Sequence, residues 1–295
     1  MSESSCPAPL PGAASTALRG VLDGPPRAAR VLARFPTALY LELRGPGEPK
    51  VVAVVTSDAA RPPNAVVLAA AARDRPFLRV GDRAGARVGE GRVEAGGLVV
   101  RARRRFDPRP ALGAPSSATV ALGLRAVERA LAGAAGGLDG HPAPALLAGR
   151  CAGDDLAGAV EAAERIVGLG PGLTPSGDDI LAGLLAALRL VGGALRDGAR
   201  AVRLAEWLGA AVTEDADTRT TSLSATLLHC AARGETSAEV GALLRGVAGR
   251  EPPVPALRRL LAVGHTSGAD LAQGVVAGAR AALALAVPHA RRATA

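Results

Sequence analysis

Hydrophobic and polar residues follow a strand-like pattern in the first third of the chain. Between Arg30 and Phe106, short runs rich in Val, Leu and Ala are separated by Pro and Gly. Two of these runs flank Gly96-Gly97, a dipeptide that favours a tight hairpin turn. In the second run, Val100 and Ala102 alternate with arginines, which predicts a strand with one partly buried face. The expected strands cover Ala38–Leu43, Lys50–Thr56, Asn64–Leu68, Ala86–Ala95 and Leu98–Arg105.

After Phe106 the apolar positions repeat at helical spacing, and Gly and Pro separate most of the segments. The two patterns predict an α+β protein: a β-rich module (small barrel or sheet) over residues 29–110, then a mostly helical domain over residues 111–295. Residues 1–28 are expected to form a flexible tail, and the Pro-rich stretch around Ala143 a linker. The expected helices cover Ala118–Ala135, Asp154–Val167, Asp178–Gly192, Ala199–Thr213, Thr221–Arg233, Ala238–Arg250, Pro255–Val263 and Ala269–Val287.

Composition narrows the class of protein. Of the 295 residues 48% are hydrophobic, which excludes a wholly disordered chain, and only 2% are aromatic, so the core must be built from Ala, Leu and Val. Three scattered cysteines argue against a disulfide scaffold. The best apolar run, Ile180 to Leu195, contains Arg189 and is too short to span a membrane. The start of the chain has no signal-peptide pattern, so we expect a cytoplasmic protein.

The net charge of +8 is unevenly distributed. Residues 1–150 contain 21 basic and 12 acidic side chains, whereas residues 151–295 contain 14 and 15. The excess is densest at Arg101, Arg103, Arg104 and Arg105. Because few aromatic residues are present to stack on bases, a nucleic-acid partner is disfavoured, and a solvated or partner-facing surface is expected.

The most unusual segment is Gly168-Leu-Gly-Pro-Gly-Leu-Thr-Pro-Ser-Gly-Asp-Asp179. Its glycines, Gly170 and Gly172 among them, and its prolines impose a defined loop. The pattern predicts Ser176 as the N-cap of a helix, with Asp179 three residues later as an acidic capping box. A tight turn before a capped helix would explain most features of this segment. Alternatively, the free amides at the helix start, with Gly177 and Thr174 nearby, form an anion site.

A second helix start repeats the first one 91 residues later. Ser176-Gly-Asp-Asp-Ile-Leu-Ala-Gly183 aligns with Ser267-Gly-Ala-Asp-Leu-Ala-Gln-Gly274. In each, Ser is the predicted N-cap, Asp occupies the third helical position and Gly lies two turns along. Chance similarity in a Gly- and Ala-rich chain is one explanation. The other is a pair of helices whose N-termini converge on one ligand.

Between the two repeats lies a hydroxyl-rich segment, Thr218-Arg-Thr-Thr-Ser-Leu-Ser-Ala-Thr226. Six hydroxyls in nine residues exceed what a helix cap requires, although a solvent-exposed turn would also explain them. Arg219 is suited to clamping a carboxylate or phosphate with its planar guanidinium group. His265, next to Thr266, is the histidine best placed for acid–base chemistry.

Metal-binding patterns are weak. No paired Cys or His motif of the zinc type is present. Asp178 and Asp179 are the only candidate metal ligands, and they would hold Mg²⁺ together with a substrate phosphate. No cofactor other than Mg²⁺ is suggested.

Together, the loop at 168–179, the segment Arg219-Thr-Thr-Ser-Leu-Ser224 and the segment Gly264-His-Thr-Ser-Gly-Ala-Asp270 resemble the AllH-like family. This family was long catalogued as a domain of unknown function and is associated with a subunit of oxamate carbamoyltransferase. The resemblance covers roughly residues 165–280 and is weak over the β-rich part. It implies a multi-subunit enzyme of allantoin breakdown, with partner subunits similar to acyl-CoA synthetases. It also implies transfer of a carbamoyl group between carbamoyl phosphate and oxamate, forming oxalurate and phosphate.

Small anions of this kind fit the residues considered above. Helix N-termini and Arg219 would hold phosphate and carboxylate groups. The candidate catalytic residues are Asp178, Asp179 and His265, which would orient the attacking amide nitrogen or move its proton. The candidate substrate-binding residues are Gly170, Gly172, Thr174, Ser176, Gly177, Arg219, Thr220, Thr221, Ser222, Ser224, Thr266, Ser267, Gly268 and Asp270.

Two other functions remain open. The first is a Mg²⁺-dependent enzyme that acts alone on a small phosphorylated substrate through Asp178 and Asp179. The second is a non-catalytic subunit that binds a small anion or presents its arginine-rich strands to an acidic partner in a complex.

Overall fold

The computed structural model describes residues 9–287, and within them the chain divides into two compact units at Pro108 and Arg109. The first unit is a closed β-barrel and the second is helical, so the predicted α+β class is confirmed. In the described residues the barrel has eight strands in the order β1-β5-β4-β3-β2-β6-β7-β8. They are β1 Leu10–Ser15, β2 Arg27–Arg34, β3 Ala38–Leu43, β4 Val51–Val55, β5 Ala65–Leu68, β6 Gly85–Gly89, β7 Arg92–Ala95 and β8 Leu98–Phe106.

The segment predicted as a flexible tail, residues 1–28, differs from the structure after residue 9. Strand β1 lies between β5 and β8 and closes the barrel. A 3₁₀ turn over Thr16–Leu18 and helix α1, Arg19–Leu22, follow it, and Leu18 and Leu22 are fully buried in the barrel core. The sequence of β1 contains Pro and Gly and has weak strand propensity. Its position is therefore set by pairing with distant strands rather than by local pattern.

The predicted strand Ala86–Ala95 is two strands. Glu90 and Gly91, both with positive φ, form a turn between β6 and β7. The predicted hairpin at Gly96-Gly97 joins β7 to β8, and both glycines have positive φ as a type I′ turn requires.

The basic cluster lies on strand β8. Arg101, Arg103, Arg104 and Arg105 are exposed, and Arg105 forms an ion pair with Asp23. The cluster thus lies on the exposed surface of the barrel, and the exposure of three consecutive arginines departs from the predicted alternation.

The helical unit contains ten of the helices in the described residues. They are α2 Ser117–Leu131, α3 Pro142–Gly153, α4 Leu156–Glu164, α5 Ser176–Ala194, α6 Ala199–Glu214, α7 Ala216–Arg219, α8 Ser222–Ala232, α9 Ala238–Val247, α10 Pro253–Leu261 and α11 Ser267–Leu285. The stretch around Ala143, predicted as a linker, forms α3, because Pro142 occupies its first turn, where proline is tolerated.

No helix among residues 9–287 is long and apolar enough to cross a membrane. Cys151 and Cys230 are buried, and Cys6 lies outside the described residues.

Helices α5 and α11 pack against each other at the centre of this unit, and glycines allow their backbones to touch. A Cβ atom on Gly183 would overlap the carbonyl oxygen of Leu271, and a Cβ atom on Gly274 would overlap that of Ile180. These two contacts are reciprocal, since 183 corresponds to 274 and 180 corresponds to 271 in the repeat. The crossing therefore requires glycine at both positions.

We expect the Gly183→Ala variant to lose about 1–3 kcal/mol of unfolding free energy, because the added methyl group forces the two helices apart. Gly193→Ala is the matched control on the same helix. A Cβ atom there would have Val202 Cγ2 as its nearest neighbour at 3.9 Å, so we expect a gain of about 0.5–1 kcal/mol from helix propensity. Urea unfolding measures both values, and an equal effect of the two substitutions would contradict the role of the crossing.

Candidate functional site

The loop before α5 is held in place by its own backbone. Gly168, Gly170 and Gly172 all have positive φ. The amide of Gly177 donates to the carbonyl of Leu169 at 2.9 Å, and a Cβ atom on Gly177 would overlap the carbonyl oxygen of Ile166. Gly177 therefore serves close backbone packing, and the loop closes tightly on the first turn of the helix.

The predicted N-caps are wrong by one residue in both repeats. Pro175 is the N-cap of α5 and Thr266 is the N-cap of α11, with no side-chain cap bond in either case. Ser176 and Ser267 are the first helical residues. Asp179 and Asp270 thus occupy the fourth position, facing sideways toward neighbouring elements rather than back toward the cap.

Three amides at each helix start, those of residues 177–179 and 268–270, are already engaged, which leaves few backbone donors for the predicted anion site. The amides of Asp178 and Asp179 donate to the carbonyl of Pro175 at 3.0 and 3.1 Å. The amides of Ala269 and Asp270 donate to the carbonyl of Thr266 at 2.9 and 3.0 Å, and that of Gly268 donates to Val263. A ligand at this place would therefore depend mainly on side chains.

Asp178 connects the loop to the hydroxyl-rich segment. Its Oδ1 accepts the amide of Gly168 at 2.8 Å, its Oδ2 accepts the hydroxyl of Thr220, and the Ser224 side chain also donates to it. The side chain is 2% exposed, and burial raises the pKa of its carboxyl group against the effect of these hydrogen bonds. Thr221 reinforces the connection by donating to the carbonyl of Leu173 at 2.6 Å. Asp178 thus connects two of the predicted motifs through hydrogen bonds.

Asp179 faces the third motif. It accepts hydrogen bonds from Ser267 and Thr174, whose hydroxyl oxygens lie 3.1 Å apart. Burial, with the side chain 4% exposed, and the nearby charges of Asp270 and Asp178 raise the pKa of Asp179 to about 8. The predicted convergence of the two helix starts is therefore present, and it brings two carboxyl groups together.

Asp270 is the counterpart of Asp179 in the second repeat and is fully buried. Its Oδ1 accepts the amide of Gly137 at 2.9 Å. Within residues 9–287, neither Oδ2 of Asp179 nor Oδ2 of Asp270 has a hydrogen-bond partner. Buried carboxylate oxygens without partners are costly, so this pair is the main candidate for contact with a ligand.

The segment around Gly136 and Gly137 covers this pair, and the sequence analysis missed it. A Cβ atom on Gly137 would overlap Oγ of Ser176 and lie 3.4 Å from Oδ2 of Asp270. The segment is held by Asp139, which accepts the amide of Gly136 at 2.9 Å and the side-chain amide of Gln273 at 3.2 Å. Four glycines within residues 133–140 were the available signal for such a close approach.

Arg219 and His265 do not lie where the predicted roles require. Nη2 of Arg219 donates to the carbonyl of Glu164 at 2.7 Å, and its guanidinium group pairs with Asp215 at 3.7 Å. His265 is exposed. Two further candidates make backbone contacts within the helical unit. The Ser222 carbonyl accepts the Thr226 hydroxyl, and Gly268 packs against the carbonyl of Leu260.

The predicted Mg²⁺ pair is not supported by this geometry. Asp178 and Asp179 are neighbours in sequence, but both oxygens of Asp178 are bonded within the protein. Among the residues that the structure describes, no group of three or more His, Cys, Asp or Glu side chains is arranged to hold a metal ion.

Residues 166–279 match the model of the family described as oxamate carbamoyltransferase subunit AllH. This part of the chain is similar to the AllH family. The match includes all three motifs and confirms the predicted resemblance, whereas the barrel and helices α2, α3 and α4 lie outside it. No curated protein and no solved structure matched the chain. Since AllH is described as a subunit, the family implies protein partners.

The buried pair predicts how stability depends on pH. Folded Asp179 keeps its proton up to pH about 8, whereas in the unfolded chain the residue loses it near the ordinary aspartate value of 3.8. Between these values the native state binds more protons, so wild-type stability falls as pH rises. We expect Asp179→Asn to avoid this loss and to gain at least about 2 kcal/mol relative to wild type between about pH 5 and about pH 9.

Thermal unfolding at several pH values measures the difference. Asp197→Asn, at an exposed position beyond the end of α5, is the control, and its effect should not vary with pH. A constant difference between Asp179→Asn and wild type across this range would mean that Asp179 ionises normally.

Proposed function

We propose that this chain is a subunit of an oxamate carbamoyltransferase-type enzyme that acts in the cytoplasm in allantoin breakdown. The reaction would occur at the cluster formed by Asp179, Asp270 and the hydroxyls of Thr174, Ser176 and Ser267. The observation that carries this proposal is the unpartnered, buried oxygen of Asp179 within the AllH-family segment.

Carbamoyl transfer to oxamate requires a proton acceptor. The amide nitrogen of oxamate forms a bond to the carbamoyl carbon, the bond from that carbon to the phosphate oxygen breaks, and the nitrogen loses one proton. Asp179 is suited to take this proton because its pKa, raised to about 8, lies near neutral pH and its Oδ2 is unpartnered. Asp178 is less suited, since its two oxygens already accept hydrogen bonds.

The charge of the cluster argues that the active site needs a partner. Both reactants are anions, and the carboxyl groups of Asp178, Asp179 and Asp270 disfavour their approach. Arg219, which was expected to neutralise them, is bonded to Glu164 and Asp215. We therefore propose that a partner subunit supplies the positive charge that holds the phosphate and the carboxylate.

A second candidate function, that of a non-catalytic assembly subunit, is favoured by one observation. Arg101, Arg103 and Arg104 are exposed on β8, in the part of the chain outside the family match. An acidic surface on a partner subunit would complement them. This role is compatible with the first one, because the arginines and the carboxyl cluster belong to different units of the chain.

We expect Asp179→Asn to lower kcat for carbamoyl transfer by about 10²–10⁴-fold in the assembled enzyme, because Asn cannot accept the proton. Wild-type activity should rise as pH increases through about 8, the pKa at which Asp179 becomes ionised, and the variant should lose this rise. Asp197→Asn serves as the control and should behave as wild type. Full activity of Asp179→Asn with an unchanged pH profile would exclude Asp179 as the proton acceptor.

A further inference from the structure

Helices α5 and α11 form a two-fold repeat within one chain. Each is 19 residues long and begins with Ser-Gly-x-Asp, and each places a glycine against the backbone of the other. Because Ile180 and Leu271 receive these reciprocal contacts, Asp179 and Asp270 occupy equivalent positions on either side of the crossing.

The two aspartates are held by different donors but share one feature. Each uses hydrogen bonds from the protein, Asp179 from Ser267 and Thr174 and Asp270 from the amide of Gly137. In the described part of the chain, each leaves its Oδ2 buried and unpartnered. Gly137, which is exposed, lies directly over Ser176 and Asp270.

Two buried carboxyl oxygens call for hydrogen-bond donors, and a small anion offers none at its charged end. A primary carboxamide does offer them, through its two N–H groups. Under the proposed function both reactants, oxamate and carbamoyl phosphate, carry such a group, and each has its negative charge at the opposite end. Docking by the amide ends would direct both charged ends away from the carboxyl pair.

We propose that α5 and α11 provide two equivalent half-sites for carboxamide groups, with Asp179 accepting an N–H of oxamate and Asp270 accepting an N–H of carbamoyl phosphate. The assignment rests on the proposed function, since Asp179 is there the acceptor of the proton that oxamate loses. It places the two reacting groups side by side across the helix crossing, which is what a bimolecular transfer requires.

The test compares reactants with analogues that lack the N–H groups, using the full chain together with the subunits that co-purify with it. Acetyl phosphate replaces the NH₂ of carbamoyl phosphate with a methyl group, and oxalate replaces the amide of oxamate with a carboxylate. Calorimetric titration above pH about 8, where Asp179 is ionised, should show that wild type binds each amide about 10- to 100-fold more tightly than its analogue, the contribution of a hydrogen bond to a charged group.

The variant Asp270→Asn separates the two half-sites. When the Asn oxygen accepts the Gly137 amide, the NH₂ group takes the place of Oδ2 and presents donors, not an acceptor, to the substrate N–H. We expect the preference for carbamoyl phosphate over acetyl phosphate to fall to about one, while the affinity for oxamate changes less than about 3-fold. Asp139→Asn, which alters the exposed carboxylate that holds the same glycine segment, should keep the preference.

Three results would overturn the half-sites. The first is equal binding of amides and analogues by wild type, a measurement that does not depend on any variant folding. The second is an equal loss of oxamate and carbamoyl phosphate binding in Asp270→Asn. The third is a preference that disappears with EDTA, which would mean that a cation occupies the pair. Amide preference without carbamoyl transfer would instead overturn the proposed reaction and leave the half-sites in place.

Discussion

The close crossing of α5 and α11 determines where the side chains of Asp179 and Asp270 lie. Gly183 and Gly274 let the two backbones touch, and this contact fixes the depth and direction of both helix starts. Any larger residue would move Asp179 away from Ser267 and separate the carboxyl pair. Each glycine lowers helix stability by about 0.5–1 kcal/mol, and the close crossing that it allows sets the positions of Asp179 and Asp270.

Burying several carboxyl groups together with few compensating charges is unfavourable, and the structure accommodates the three differently. Asp178 is satisfied by hydrogen bonds, whereas Asp179 and Asp270 each keep one unpartnered oxygen within the described residues. Such incompletely satisfied groups are often found at functional sites, where a ligand provides the missing partner.

The sequence predicted the two units and the three motifs because their signals are local. Strand alternation around Val100, the Gly96-Gly97 turn and the helical spacing after Phe106 each depend on a few neighbouring residues. The prediction failed where distant parts of the chain decide the outcome. Strand β1 has a weak local pattern and is ordered by pairing with β5 and β8, and α3 forms at a Pro-rich stretch that reads as a linker.

The sequence by itself determined that Asp178, Asp179 and Asp270 begin two related helices, because the repeat is visible in the residues. Only the tertiary structure decided which of them connects two segments by hydrogen bonds and which remain available to a ligand. The amide of Gly137 reaches Asp270 across 133 positions, and the Thr220 hydroxyl reaches Asp178 across 42. A carboxyl group's role depends on such partners, and helix packing, rather than local sequence, brings them together.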